Sequence, residues 1–428
     1  MPAARLDLRA AVVPRTLRWV VLTLLVLLAA SRAPYVLTHG RFWAEEGTLH
    51  FANMYEGSFP GELFYVQTRT GYYNLFANLA SWVASYVSLD YAPRVTAWLS
   101  FGVVVLLAWI ALAWPSDLLT TVGAKLAAAT LLVIGTLAVA EVWLNTINAQ
   151  TYLGLTALLL LFVRVEQLNR LFYVLGLALL VVAGLSGLYA VVLTPLFVIV
   201  AVLDKSRRRW GYALTLTGAA IAQIAVVIST GLTGEVAESK FALPGFGEAA
   251  RSVAGWQLGG VVLGRRIGRV IDSAADGSVG ATLTMALLAL AVLGLVALLL
   301  WRAPNRRVPL LLVGAMALTE VLVQIGGLGG ETISRYTVVP IGILTLMLIY
   351  GVTTSPLDRF AWAGAMVLGA ALIVGLSQFW TLQSASLRCR GCPDWAAEVE
   401  QYDTNGDPLL IWPYDRAEPW VMYLEPRK

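Results

Sequence analysis

Apolar runs long enough to cross a bilayer recur from Thr16 almost to residue 378, and they settle the class of structure before any motif is weighed. A helix needs about 20 apolar residues to cross a hydrocarbon core roughly 30 Å thick. Inside that core only folds that pair every backbone N–H and C=O internally survive. The pattern predicts an all-α polytopic membrane protein, with one membrane domain over 1–378 and a short tail over 379–428. Composition agrees, because 58% of the 428 residues are hydrophobic and only 13% charged, against about 25% charged in soluble domains. The formal charge of +4 reads as membrane anchoring rather than a nucleic-acid surface. The run Thr16–Leu37 is too long for a signal-peptide core and lacks a clear cleavage site, so it reads as a retained first helix. Arginine supplies most of the positive charge, and with so much Ala, Val and Leu this points to a bacterial source.

Basic residues cluster in short loops: Arg5, Arg9, Arg15 and Arg18; Arg164 with Arg170; Lys205 to Arg209; Arg302 to Arg307; and Arg359. The positive-inside rule places them all in the cytoplasm. The run 171–203 would be roughly 50 Å long as a helix, too long for one crossing, so it is expected to turn on the outside at Gly184–Gly187. Parity then allows only one of the segments 72–89 and 95–114 to cross. Asn74, Asn78, Ser81 and Ser85 form one polar helical stripe, so 72–89 is read as a helix lying on the outer surface; an ordinary crossing with that stripe packed on neighbours is the alternative. Eleven spans follow, near 16–37, 95–114, 122–143, 151–163, 171–183, 188–203, 211–230, 281–301, 308–327, 336–353 and 359–378. The N-terminus is then cytoplasmic and the C-terminus extracytoplasmic.

This topology gathers the unusual residues on the outer side. The first outer loop, 38–94, holds Glu45, Glu46, His50 and Arg69. Two adjacent acids at an interface raise each other's pKa and suit a general base, while a solvated helix start is the bland reading. Glu46 and His50 are four apart and would share an α-helical face. Glu141, Asn145 and Asn148 could receive sugar hydroxyls or brace the acids, or serve only as helix caps. Arg335, followed by Tyr336, could hold a lipid-linked phosphate bidentately or merely meet headgroups. Arg265 and Arg266 recur with Arg269 at helical spacing in the fourth outer loop, 231–280, and read as a donor or headgroup contact. Cys389 and Cys392, both outside, are expected to form a disulfide. There is no G-x-G-x-x-G, P-loop, G-x-S-x-G or H-E-x-x-H motif.

An acidic motif after the first helix, a surface helix in the same loop, a second polar outer loop and a late Arg-Tyr together resemble the GT-C superfamily of polytopic glycosyltransferases. The resemblance implies a polyprenyl-phosphate sugar as donor, and a glycan, lipid or protein outside the bacterial plasma membrane as acceptor. It also implies a first-loop acid, Glu45 or Glu46, as catalytic base or as ligand to Mg²⁺ or Mn²⁺. The chain carries Glu-Glu where Asp-Asp, Asp-Glu or a lone Asp is commoner, and it has no large C-terminal domain. Sugar chemistry outside the membrane independently needs a lipid-carried donor, since nucleotide sugars are absent there. A flippase for lipid-linked oligosaccharides would instead want charge near mid-membrane, where Glu320 and Gln324 are the main candidates. A polymerase or ligase acting on lipid-linked glycan is the third reading, less favoured with only His39 and His50 present.

Overall fold

The computed structural model describes residues 12–57, 60–66, 71–135, 140–232, 253, 257–258, 279–326, 334–380, 394–413 and 420–425. Arg69, Arg265, Arg266, Cys389 and Cys392 fall outside the described residues. Helices dominate, as the hydropathy pattern requires. Five are long and apolar enough to cross a membrane: Ala92–Ala113, Arg207–Leu232, Arg307–Ile325, Arg335–Thr354 and Arg359–Phe379. The pair Arg170–Leu185 and Leu188–Asp204, bent by 116°, makes a sixth if taken as one broken span. Arg15–Arg32 and Val279–Arg302 pack among them, and Val122–Ile134 and Gln150–Leu161 are shorter apolar helices.

The break in that pair falls where the sequence placed a turn. Ser186 ends one helix and Gly187 follows at φ 134°, a conformation L side chains rarely adopt. A Cβ on Gly187 would also lie 1.9 Å from Gln150 Oε1, so glycine is needed both for the turn and for the approach of the second polar loop.

Helix ends collect at two poles. At one, the links between helices are laced by charge. Arg164 Nε meets Asp117 at 2.7 Å, Asp204 takes Arg209 at 3.0 Å and Arg307 at 2.5 Å, and Arg302 pairs with Asp358. Lys125 Nζ donates to Trp114 O at 2.7 Å, and Arg208 Nη1 donates to Leu168 O at 2.6 Å. The opposite pole gathers the first loop, the segment 140–149, the break at 186–187, Ser334–Thr337 and the tail 394–425. Here buried polar contacts join the segments: Phe76 N donates to Ser186 Oγ at 2.9 Å, and Gln223 Nε2 donates to Tyr73 O at 2.8 Å. The Arg32 guanidinium lies 4.4 Å from the Trp143 ring centre and 4.8 Å from that of Phe379.

The Leu75–Ala84 helix departs from the picture drawn from sequence. Its ten residues span roughly 15 Å at 1.5 Å per residue, too short to cross alone. Its polar stripe, however, faces inward: Asn74, Asn78, Ser81 and Ser85 are all buried, while Val83, Tyr86 and Val87 are exposed. A water-facing surface helix would show the reverse. Apolar out and polar in suits a lipid surround, and it turns Asn78 into a structural donor.

Candidate functional site

The first loop enters the cavity pole through Arg41, buried and donating from Nη1 to Glu398 Oε2 and to Leu410 O, each at 2.7 Å. Trp412 N donates to Phe42 O at 2.9 Å and Ala44 N to Trp412 O at 2.6 Å, so the tail lies beside the loop as a short parallel bridge. Gly47 lets this packing close, since a Cβ there would meet Phe42 Cβ at 2.8 Å and Ile411 Cδ1 at 3.1 Å. Nothing in the sequence linked residues 395–425 to the acidic motif, because the segments share no periodicity and are separated by the whole membrane domain.

Ala44 sits at φ 43° and Leu144 at φ 57°, both non-glycine residues in the left-handed region. Glu46 spans the two. Its Oε2 accepts from Trp43 N at 3.0 Å, and its Oε1 accepts from Thr146 N at 2.9 Å and Thr146 Oγ1 at 2.7 Å. A carboxylate taking donors next to both strained residues holds the two loops together and offsets backbone strain of about 1–3 kcal/mol each. Burial pushes the Glu46 carboxyl above its usual range, with the Thr146 and Trp43 donors pulling it back.

The two adjacent acids are placed differently: Glu45 lines the cavity and Glu46 does not. Residues Glu46–Phe51 form a π-helix with Glu45 at its N-cap, a turn looser than an α-helix, so the four-residue spacing alone does not decide which acid accompanies His50. Glu45 and His50 line a cavity of about 160 Å³ together with Tyr72, Asn74, Asn148, Gln150, Tyr189, Arg335 and Tyr336, while Glu46 is buried behind it. The two carboxylates are not brought together at the cavity, since Glu45 lines it and Glu46 accepts from Trp43 N, Thr146 N and Thr146 Oγ1 between the loops. Among the described residues no group of three or more His, Cys, Asp or Glu is placed to hold a metal.

Of the second loop, Asn145 and Asn148 both donate to Glu141 O, Asn148 at 2.7 Å, and Asn148 N donates to Asn145 Oδ1 at 2.9 Å. Asn145 is thus spent on shaping the loop, and only Asn148 reaches the cavity. The Glu141 carboxylate pairs with Arg335, whose Nη2 donates to Tyr336 Oη at 3.1 Å and whose guanidinium stacks on that ring at 4.9 Å. Glu141 therefore positions Arg335 and does not itself line the cavity. Gln150 Nε2 donates to Tyr72 Oη at 2.9 Å, and burial, with Tyr336 nearby, pushes the Tyr72 phenol up to about 12. Burial pulls His50 below its ordinary value against the opposing pull of Asn78 and Glu45, so its ring is neutral at neutral pH. Tyr72, Gln150 and Tyr189 line the cavity too, and no local motif in the sequence singles them out.

One wall of the cavity is polar, with Glu45, His50 and Arg335; another is apolar, with Leu188, Leu322 and Val323. Such a cavity suits a ligand with a charged or hydroxylated head and a hydrocarbon tail. No model of a known protein family matches the chain, and no curated protein is recognisably similar to it.

Proposed function

We propose that the chain is a membrane glycosyltransferase that moves a sugar from a polyprenyl-phosphate donor to a hydroxyl outside a bacterial plasma membrane. The observation that carries this reading is the meeting of Glu45 and His50 with Arg335, from a segment far away in sequence, in one cavity that apolar side chains also line. Five helices long and apolar enough to cross, six with the bent pair, and arginine-rich links at the pole away from the cavity support a membrane protein with the cavity pole outward. In the reaction Arg335 holds the donor phosphate as a planar fork, and the lipid tail leaves along Leu188, Leu322 and Val323. The acceptor oxygen attacks the anomeric carbon while its proton passes to Glu45. The anomeric C–O bond to phosphate breaks, and its electron pair leaves on polyprenyl phosphate, which needs no protonation. Of the two acids it is Glu45, which lines the cavity, that serves as base, and no step is routed through a metal.

Purified protein offered a panel of polyprenyl-phosphate sugars, with membrane glycolipid extract as acceptor, should release polyprenyl phosphate from at least one of them. Arg335→Ala should weaken use of that donor roughly ten- to a hundredfold, as loss of a charge-assisted hydrogen bond predicts. Inertness toward every donor, from well-folded protein in bilayers, would remove the reading.

A further inference from the structure

The Asn78 amide is pinned. Its Nδ2 donates to Leu63 O at 3.0 Å and to Tyr65 O at 2.9 Å, so its carbonyl oxygen is the atom turned toward His50 Nδ1, 2.6 Å away. An acceptor in that place requires a proton on Nδ1, and a neutral imidazole then carries none on Nε2. Asn78 does not line the cavity and His50 does, so the ring edge left for the cavity is the one bearing Nε2.

We infer that His50 Nε2 is a fixed hydrogen-bond acceptor that reads a hydroxyl of the ligand, with Asn78 as the positioning residue that sets its tautomer. The site therefore takes a hydroxyl-bearing sugar and discriminates against analogues in which that hydroxyl is deleted or alkylated. A buried acceptor left unpaired penalises the wrong ligand heavily, on the order of 10⁴–10⁵-fold where a site is built to bind a hydroxyl. The identification of the ligand as a sugar rests on the glycosyl-transfer reading; the tautomer does not. The other groups facing the cavity are Glu45 from the same loop, Arg335 with its partner Glu141, and the phenols of Tyr72, Tyr189 and Tyr336. Among them Glu45 favours a charged imidazole and Arg335 opposes it. Burial adds to the opposition, which keeps Nε2 an acceptor at neutral pH.

The chain has two histidines, His39 and His50, so ¹⁵N-histidine labelling with His39→Asn leaves a single ring to observe. In zwitterionic micelles at neutral pH, full-length protein should give a protonated Nδ1 signal and a pyridine-type Nε2 signal. Octyl glycosides of glucose, galactose and mannose serve as probes, and at least one should move the Nε2 signal. Asn78→Asp should raise the His50 titration midpoint by about one unit or more. On the donor panel, His50→Gln, which keeps a carbonyl near the Nε2 position, should retain turnover that His50→Phe loses. A proton found on Nε2, or an Nε2 signal indifferent to every glycoside, overturns the inference. If no donor is turned over while a glycoside moves Nε2, the transfer reading fails and the acceptor site stands.

Discussion

The two poles of the bundle differ in how deeply they bury their ion pairs. At the arginine-rich pole the pairs keep at least one partly open side chain on short links, as in Arg302 with Asp358, where each side chain keeps about a third of its surface open. The cavity pole also has a partly open pair, Arg335 with Glu141, but it buries Arg41 with Glu398 on both sides, at 4% and 6% exposure. Exposed pairs are replaceable anchors; buried ones hold a particular geometry and are costly to break on one side only. Precision is thus concentrated at the pole that carries the cavity.

Substitutions at both poles can break this contrast. The largest effect is expected at Glu45: Glu45→Gln keeps shape but cannot accept a proton, so transfer should fall about 10²–10⁴-fold with the melting temperature unchanged. A matching loss of thermal stability would make Glu45 a structural acid like its neighbour. Arg41→Ala strands the Glu398 carboxylate and should lower stability by about 3–5 kcal/mol, read by chemical denaturation in detergent. Arg41→Met combined with Glu398→Leu should recover much of that loss. Glu46→Gln turns an amide donor against Trp43 N–H or the Thr146 donors, costing about 1–3 kcal/mol. Because burial raises the folded-state carboxyl above its unfolded value of 4.5, the folded protein binds that proton more tightly. Stability contributed by this group is then greatest below pH 4.5 and declines as pH rises through the raised value, a dependence Glu46→Gln should lack. Smallest of all, Arg302→Ala should change stability by about 0–1 kcal/mol; a drop as large as that of Arg41→Ala would erase the contrast between the poles.

Much of this arrangement was legible in the chain. Apolar run lengths and clustered arginines gave the helices and their ends, and those ends brought Glu45, His50, Asn148, Arg335 and Tyr336 to one pole. Register was not legible. A spacing of four named Glu46 as the companion of His50, but the cavity is lined by Glu45 and His50 while the Glu46 carboxylate is taken up between the two loops. Nor was the orientation of Asn78, because an amphipathic stripe reports that a helix has two faces without saying whether water or protein meets the polar one. The pairing of Arg41 with Glu398 lay beyond any local pattern.

That pairing has a consequence for biogenesis. Arg41 and Glu398 are 357 residues apart, roughly twenty seconds to a minute of synthesis at ~5–20 residues per second. Throughout that interval the acidic loop has no platform, and a buried guanidinium must wait in water or among headgroups for its counterion. The tail braces the loop that carries Glu45 and His50, so that loop is not held in its final place until the helices are inserted and the far segment has docked. Assembly of the site is in this way tied to completion of the molecule.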